Sequence, residues 1–189
     1  MSDLAAILLA GGRGSRMGGV NKPLLEVGGT TLLEAAVTAA RSAGCDPIIA
    51  VGDQTLEAGD IRWVREDPPF GGPVAAILAA LPLIGAERTL VLACDLPRVG
   101  PATRFLLDST FEGDGLCLTD GSGRSQWLTG IYRTAALRAA GAGLARRGQD
   151  ASVRALMGDL QITGVAPSDD LAADIDTWDD LNEARRRNP

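Results

Sequence analysis

The feature that most constrains this chain is Leu4-Ala-Ala-Ile-Leu-Leu9, six apolar residues in succession, followed at once by the glycine-rich run Ala10-Gly-Gly-Arg-Gly-Ser-Arg-Met-Gly-Gly19. A continuous apolar run without polar alternation is the pattern of a strand covered on both faces. Such strands belong to parallel sheets, whose members are joined by helical crossovers. Thr31-Leu-Leu-Glu34 has the spacing of a capping box. Leu33, Ala36, Val37 and Ala40 then share one helical face, and Gly44 supplies the stop. Residues 46–51 and 61–65 read as a second and third strand, and residues 72–81 as a helix with Pro73 in its first turn. Residues 89–94 read as another buried strand and 101–107 as another helix.

The second half is less regular. Residues 115–119 and 127–132 read as strands joined through a turn at 120–123, so an antiparallel pair interrupts the alternation. Residues 134–145 and 151–157 read as helices, 160–165 as a strand, and 177–187 as a last helix whose Thr177 and Asp180 repeat the capping spacing. With no linker, repeat or low-complexity stretch in 189 residues, the expectation is one α/β domain over residues 1–189 with a largely parallel sheet.

Charge singles out the glycine loop. The chain carries a net charge of -6, yet Arg13, Arg16 and Lys22 gather among Gly11, Gly12, Gly14, Gly18 and Gly19, with no carboxylate between Asp3 and Glu26. Lys22 is the only lysine. A glycine-rich turn between a strand and a helix exposes backbone N–H groups that bind phosphate oxygens. The dinucleotide fingerprint fails, because Met17 stands where its third glycine belongs. The P-loop fails because Lys22 lies between Asn21 and Pro23. Three cations in a longer loop suit a triphosphate, and Pro23 stiffens the backbone behind Lys22; the plainer alternative is an ordinary surface loop.

The acidic balance argues against a nucleic-acid partner, which calls for a basic face. Arg185 to Arg187 end a terminal helix, where cations complement its dipole, and like Arg146-Arg147 they read as solvated surface. No apolar run reaches the ~18 residues of a membrane span, and residues 4–10 lack the flank and length of a signal peptide, so the expected location is the cytoplasm. Cys45, Cys94 and Cys117 are far apart in a chain without histidine, and read as buried hydrophobes rather than as disulfides or zinc ligands. Asp95 follows a buried apolar run, at the strand end where open α/β sheets bind ligands. Beside a triphosphate it would hold Mg²⁺; otherwise it is a turn aspartate before Pro97. Asp174 and Asp176 flank Ile175 and point the same way if extended, the alternative being a cap for the last helix.

The run from Leu9 to Lys22, Leu-Ala-Gly-Gly-Arg-Gly-Ser-Arg-Met-Gly-Gly-Val-Asn-Lys, resembles the signature loop of the nucleotidyltransferases of the molybdenum cofactor. The resemblance continues in Glu66-Asp67, Gly71-Gly72-Pro73, Cys94-Asp95-Leu96-Pro97 and Asp174-Ile-Asp176-Thr, and so covers the chain. Asn21 departs from the aspartate of most relatives, which strengthens the local positive field. The resemblance implies a three-layer α/β/α, Rossmann-like nucleotidyltransferase domain on a mostly parallel mixed sheet. It also implies transfer of GMP from GTP to molybdopterin or its molybdenum form, with release of pyrophosphate.

In that reading Arg16 and the backbone of Leu9, Ala10, Gly11, Gly12 and Gly14 hold the β- and γ-phosphates, and Lys22 stabilises charge at the α-phosphoryl group. Asp95 and Asp176 hold Mg²⁺, with Mn²⁺ as a substitute. Val51 to Asp53 and Gly72 belong to the nucleotide site. Asp67 reads guanine, whose N1–H and N2–H suit a carboxylate as cytosine's groups do not. Arg124, Gln126 and Trp127 face the pterin, where Trp127 either stacks on it or is a core strand residue. The attacking phosphate monoester is mostly dianionic at pH 7, so a chain without histidine can do this chemistry. The implied partners are GTP and the cofactor, with transient contacts to cofactor-synthesis proteins or molybdoenzyme chaperones, and neither nucleic acid nor membrane. The competing readings are cytidylyl transfer to the same cofactor, another phosphorylated acceptor, and a non-catalytic nucleotide-binding or cofactor-delivery protein.

Overall fold

The computed structural model describes residues 2–12, 17–56, 59–144 and 148–187. The first apolar run is strand β1 (Leu4–Leu9). A small hairpin, β2 (Glu26–Val27) and β3 (Thr30–Thr31), precedes α1 (Leu32–Ser42), which leads to β4 (Ile48–Val51) and β5 (Ile61–Val64). Then follow α2 (Gly72–Ala80), β6 (Arg88–Ala93), α3 (Val99–Asp108), β7 (Gly115–Thr119) and β8 (Ser125–Arg133). The remaining elements are α4 (Thr134–Ala142), α5 (Val153–Met157), β9 (Ile162–Val165) and α6 (Trp178–Arg187).

The large sheet has the order β5-β4-β1-β6-β8-β7-β9. β1 pairs in parallel with β4 on one side and β6 on the other, with Leu9 level with both Val51 and Ala93. β8 alone runs against its neighbours β6 and β7, and β9 returns parallel to β7. The sequence pattern therefore holds, with the antiparallel interruption where the 115–132 region predicts it.

Strand pleating sorts the core into two layers, because successive side chains point to opposite faces. Leu4, Ala6 and Leu8 of β1 pack with Leu33, Ala36 and Val37 of α1 and with Ala102 and Leu106 of α3. Ala5 and Ile7 face the other way, among Val74 and Ile77 of α2, Leu137 of α4 and Leu156 of α5. Helices thus cover both faces, which is why β1 reads as an unbroken apolar run. A third cluster joins Met17, Leu32 and Ile175 to Leu181 and Ala184 of α6, so the last helix packs beside the segment that follows the glycine loop.

Local signals mark the helix starts. Thr31 and Glu34 form the expected capping box on α1, with the Thr31 hydroxyl accepting from Glu34 N–H at 3.2 Å and the Glu34 carboxylate accepting from Thr31 N–H at 2.9 Å. Thr177 and Asp180 repeat it on α6. All three cysteines are free and buried, and burial pushes the Cys45 thiol up to about 12. Glu183 pairs with Arg186 and Arg187, while Arg185 donates to the Glu26 carbonyl, consistent with a solvated end of α6. Among the described residues no helix is long and apolar enough to cross a membrane.

Some boundaries differ from the sequence expectation. β4 starts at Ile48, after Pro47, and α3 starts at Val99 because Pro101 fits its first turn. β8 is longer than its apolar run, starting at Ser125, with a register shift between Cys117 and Leu118 opposite it. The hairpin β2–β3 is too short to carry a periodic signal.

One close approach fixes the glycine loop to the sheet. Ala10 N–H donates to the Val51 carbonyl, and Gly52 N–H to the Val64 carbonyl. Gly52 has φ +146°, and a Cβ there would lie 3.0 Å from Ala10 C and Gly11 N. Gly52→Ala is therefore expected to destabilise the fold by about 1–3 kcal/mol in a urea melt, the usual cost of overpacking plus backbone strain; an unchanged midpoint would show that the loop yields freely.

Candidate active site

The crossover that leaves β1 runs to β4, while the one that leaves β6 runs toward β7, so the two loops part between neighbouring strands. Ligands of open α/β sheets bind at such a switch point, beyond the carboxyl ends of the strands. A cleft of about 470 Å³ opens there. Leu9, Gly11 and Gly12 line it from β1, Val51 from β4, and Ala93, Cys94 and Asp95 from β6. Gly72 and Pro73 of α2, Leu128 of β8, and Lys22 and Asp176 complete the wall together with Glu66 and Phe70.

Lys22 opens a short 3₁₀ turn, Lys22–Leu24, with Pro23 buried directly behind it. Its ammonium donates to Asp176 Oδ1 at 2.6 Å and lies 3.9 Å from Asp95 Oδ2. Asp176 arrives there because Ile175 is buried beside Met17, Leu32 and Leu181, and because Ile175 N–H donates to the Asp95 carbonyl at 3.0 Å. Thr177 and Asp180 cap the last helix, which leaves the Asp176 carboxylate to Lys22. The ionic half of the site is thus made by three distant pieces of chain: the loop after β1, the end of β6, and the approach to α6.

Burial pushes the Asp95 carboxyl up to about 6, and Asp174 and then Asp176 add to the effect against the opposing pull of Lys22. Asp174 is raised as well, by burial and then by Asp176. Asp95 and Asp176 therefore share one ammonium, with Asp174 adding negative charge beside them, and a donor set of hard oxygens with excess negative charge fits a hard divalent cation. Among the described residues no group of three or more such side chains closes into a metal cage by itself. A hard divalent cation held by one or two carboxylates completes its shell with water and substrate phosphate oxygens.

A second cleft of about 460 Å³ adjoins the first and shares Gly11, Gly12, Glu66 and Phe70 with it; Ala10, Gly52, Asp53 and Arg65 also line it. Of the residues singled out in the sequence, Leu9, Ala10, Gly11, Gly12, Lys22, Val51, Gly72, Asp95 and Asp176 come together around these two clefts. Gly14 and Arg16, with Arg13, lie outside the described residues.

Asp67 is exposed and borders neither cleft, whereas its neighbour Glu66 borders both. Gln126 donates to Asp120 Oδ2, and the Arg124 N–H donates to Asp120 Oδ1, in the turn between β7 and β8. Trp127 is half-buried against the core beneath α2, and Leu128 is the β8 residue that reaches the cleft. Glu66, Phe70 and Leu128 were not distinguishable as lining residues from sequence; Glu66 stood only as the neighbour of Asp67 in the resemblance, and Phe70 as an aromatic between two prolines and two glycines.

A glycine loop at the switch point of a mixed α/β sheet, with a lysine and strand-end carboxylates beneath it, defines the class of nucleotide-binding phosphoryl-transfer domains. Residues 6–162 match the MobA-like NTP transferase domain, and the chain belongs to that family. It is 35% identical over 135 residues to a protein of Carboxydothermus hydrogenoformans named "probable molybdenum cofactor guanylyltransferase", covering 70% of this chain and 67% of that one. It is 41% identical over 99 residues to a molybdenum cofactor guanylyltransferase of Pseudomonas syringae pv. syringae, covering 51% of this chain and 49% of the relative, about half the length of each. Among solved structures, a nucleotidyl transferase from Methanothermobacter superposes with a TM-score of 0.75 at 27% identity, over 98% of this chain and 97% of that one. A Mycobacterium tuberculosis protein solved in complex with manganese shares the fold, with a TM-score of 0.73 at 22% identity over 98% and 99% of the two chains.

The raised Asp95 carboxyl has a consequence for stability. Its folded pKa of about 6 stands above the ordinary 3.8, so the folded state holds this proton more tightly than the unfolded chain does. Stability is lost as pH rises from about 4 through about 6, by about 3 kcal/mol for a displacement of that size. Asp95→Asn is therefore expected to raise the melting temperature of the EDTA-treated protein at pH 8 and to leave it unchanged at pH 4. A destabilised variant at pH 8 would mean that Asp95 is held by attraction to Lys22 rather than strained by its neighbours.

Proposed function

We propose that this chain transfers GMP from GTP to molybdopterin or its molybdenum form, releasing pyrophosphate. The observation that carries the reading is Lys22 beneath the glycine loop, 2.6 Å from Asp176 and 3.9 Å from Asp95. The names of the relatives support the choice of nucleotide and acceptor.

The chain's own groups do four things. Backbone N–H groups of the loop at Gly11 and Gly12, with Gly14 and Arg16, hold the β- and γ-phosphates, while Leu9 and Ala10, whose N–H is taken by the Val51 carbonyl, anchor the loop to the sheet. Lys22 exchanges its contact with Asp176 for the oxygens of the α-phosphoryl group, where negative charge concentrates as the new bond forms. Asp95 and Asp176 would hold the divalent cation, Mg²⁺ or in its place Mn²⁺, whose chemistry there is neutralisation of phosphate charge. The apolar wall of Val51, Ala93 and Leu128 limits water around the reacting phosphorus.

An oxygen of the acceptor's phosphate monoester attacks the α-phosphorus, and the bond from that phosphorus to the bridging oxygen breaks. Pyrophosphate carries away the electron pair. The nucleophile is already deprotonated at pH 7, so positioning and charge suffice and no histidine is required. Asp67 reads the guanine edge, and Arg124, Gln126 and Trp127 receive the pterin. The protein works as a single domain in the cytoplasm and passes its product on through transient contacts with cofactor-synthesis proteins or molybdoenzyme chaperones.

Cytidylyl transfer to the same acceptor is the second reading, favoured by one observation: Asp67, the carboxylate suited to guanine, borders neither cleft. Pyrophosphate release measured with Mg²⁺ and molybdopterin, supplied in turn with GTP, CTP, ATP and UTP, separates the two. Release with GTP alone is expected, and release with CTP alone would replace guanylyl by cytidylyl transfer. Lys22→Ala is expected to lower turnover by roughly two to four orders of magnitude, the cost of losing a transition-state charge contact; near-normal turnover would remove Lys22 from the chemistry. Asp67→Asn replaces an acceptor oxygen by a donor and is expected to weaken GTP far more than CTP, whereas equal effects would deny it the base.

A further inference from the structure

We propose that Phe70 is the platform on which the nucleobase stacks, held for that purpose by Arg65, Asp53 and Glu66. The inference rests on the nucleotide-transfer reading for its ligand, a planar nucleobase, and on geometry for its place.

Phe70 borders both clefts and is 47% exposed, an unusual position for a large apolar ring in the loop between β5 and α2. Its backbone is left-handed, with φ +64°. A bulky residue adopts that conformation only when its surroundings impose it, and such strain gathers at functional sites. Here the imposing groups are visible. Glu66 Oε1 accepts the Phe70 N–H at 2.9 Å, and the Arg65 guanidinium lies over the ring, 5.1 Å from its centroid. Arg65 is in turn ion-paired with Asp53, at the end of β4.

This arrangement also orients a nucleotide. Lys22 and the glycine amides offer positive charge to phosphates at one part of the cleft. At Phe70 the cation over the ring, Arg65, is already ion-paired with Asp53, which lowers its pull on phosphate. That end offers a ring instead, and stacking on an aromatic side chain favours any base because every base has a π-face. The nucleobase, rather than the pterin, is the fitting occupant. The ring shares its cleft with Gly11, Gly12 and Gly52, at the ends of β1 and β4, while Gln126 and the Arg124 backbone are engaged by Asp120 in the β7–β8 turn. The assignment gives Phe70 affinity for the nucleotide without choice among bases.

The test is calorimetric binding of GTP, CTP and inorganic tripolyphosphate, with no acceptor present, to the wild type and to Phe70→Gly and Phe70→Trp. Glycine suits a left-handed position, so Phe70→Gly is expected to melt no lower than the wild type while losing the ring. It is expected to bind its preferred nucleotide about 5- to 100-fold more weakly, to bind tripolyphosphate as the wild type does, and to be rescued by Phe70→Trp. Unchanged nucleotide affinity in Phe70→Gly would overturn the proposal. So would an equal loss for tripolyphosphate, which has no base. If the preferred nucleotide is CTP, guanylyl transfer fails, yet the expected loss at Phe70 is still read with CTP.

Discussion

The site depends on one ion pair. Lys22 and Asp176 stand 154 residues apart, and their contact closes the loop after the first strand against the approach to the last helix. The lysine side is the sheltered one: the Lys22 side chain is 17% exposed, Asp95, which shares it, 26%, and Asp176 36%. A pair half removed from water is held by its scaffold more than it holds the scaffold, because desolvation offsets much of the attraction. Here the scaffold is the buried Ile175 pin, the Pro23 turn and the backbone bond from Ile175 to Asp95.

Placing a lysine among carboxylates in an acidic chain also stores potential. Lysine presents a compact charge on a flexible stem and can exchange one oxygen partner for another, where an arginine fork would favour a fixed bidentate grip. All other cations of the chain are arginines, and the described ones that pair do so with single carboxylates at the surface, as Arg41 with Asp60 and Arg98 with Asp169. Lys22 is set apart from them by both residue type and surroundings. The three carboxylates around it disfavour one another, so they are a better host for incoming positive charge than for their own full ionisation.

Much of this was legible in the sequence because buried parallel strands leave unbroken apolar runs, and capping boxes announce helix starts. β1, α1, α2 and the antiparallel interruption at β8 follow from such signals. The glycine loop, Lys22 and Asp95 were legible because charge and strand-end position are local properties. Glu66, Phe70 and Leu128 were not, since facing a cleft depends on how loops cross rather than on any spacing within them. Asp176 lay between: its alternation with Asp174 was visible, but its role as partner of Lys22 required the packing of Met17, Leu32 and Leu181 to be known.

The third hydrophobic cluster joins to the site a part of the chain that lies outside the sheet. Residues 4 to 165 contain the entire seven-stranded sheet, and the family match ends at residue 162, before Asp174 and Asp176. Asp95, within that span, lies 3.9 Å from the Lys22 ammonium, while the closer partner Asp176, at 2.6 Å, comes from outside it. The last helix is the latch of the site, since its packing with Met17, Leu32 and Ile175 carries Asp176 to the ammonium. The phosphate site is therefore completed by a segment that the sheet itself does not need.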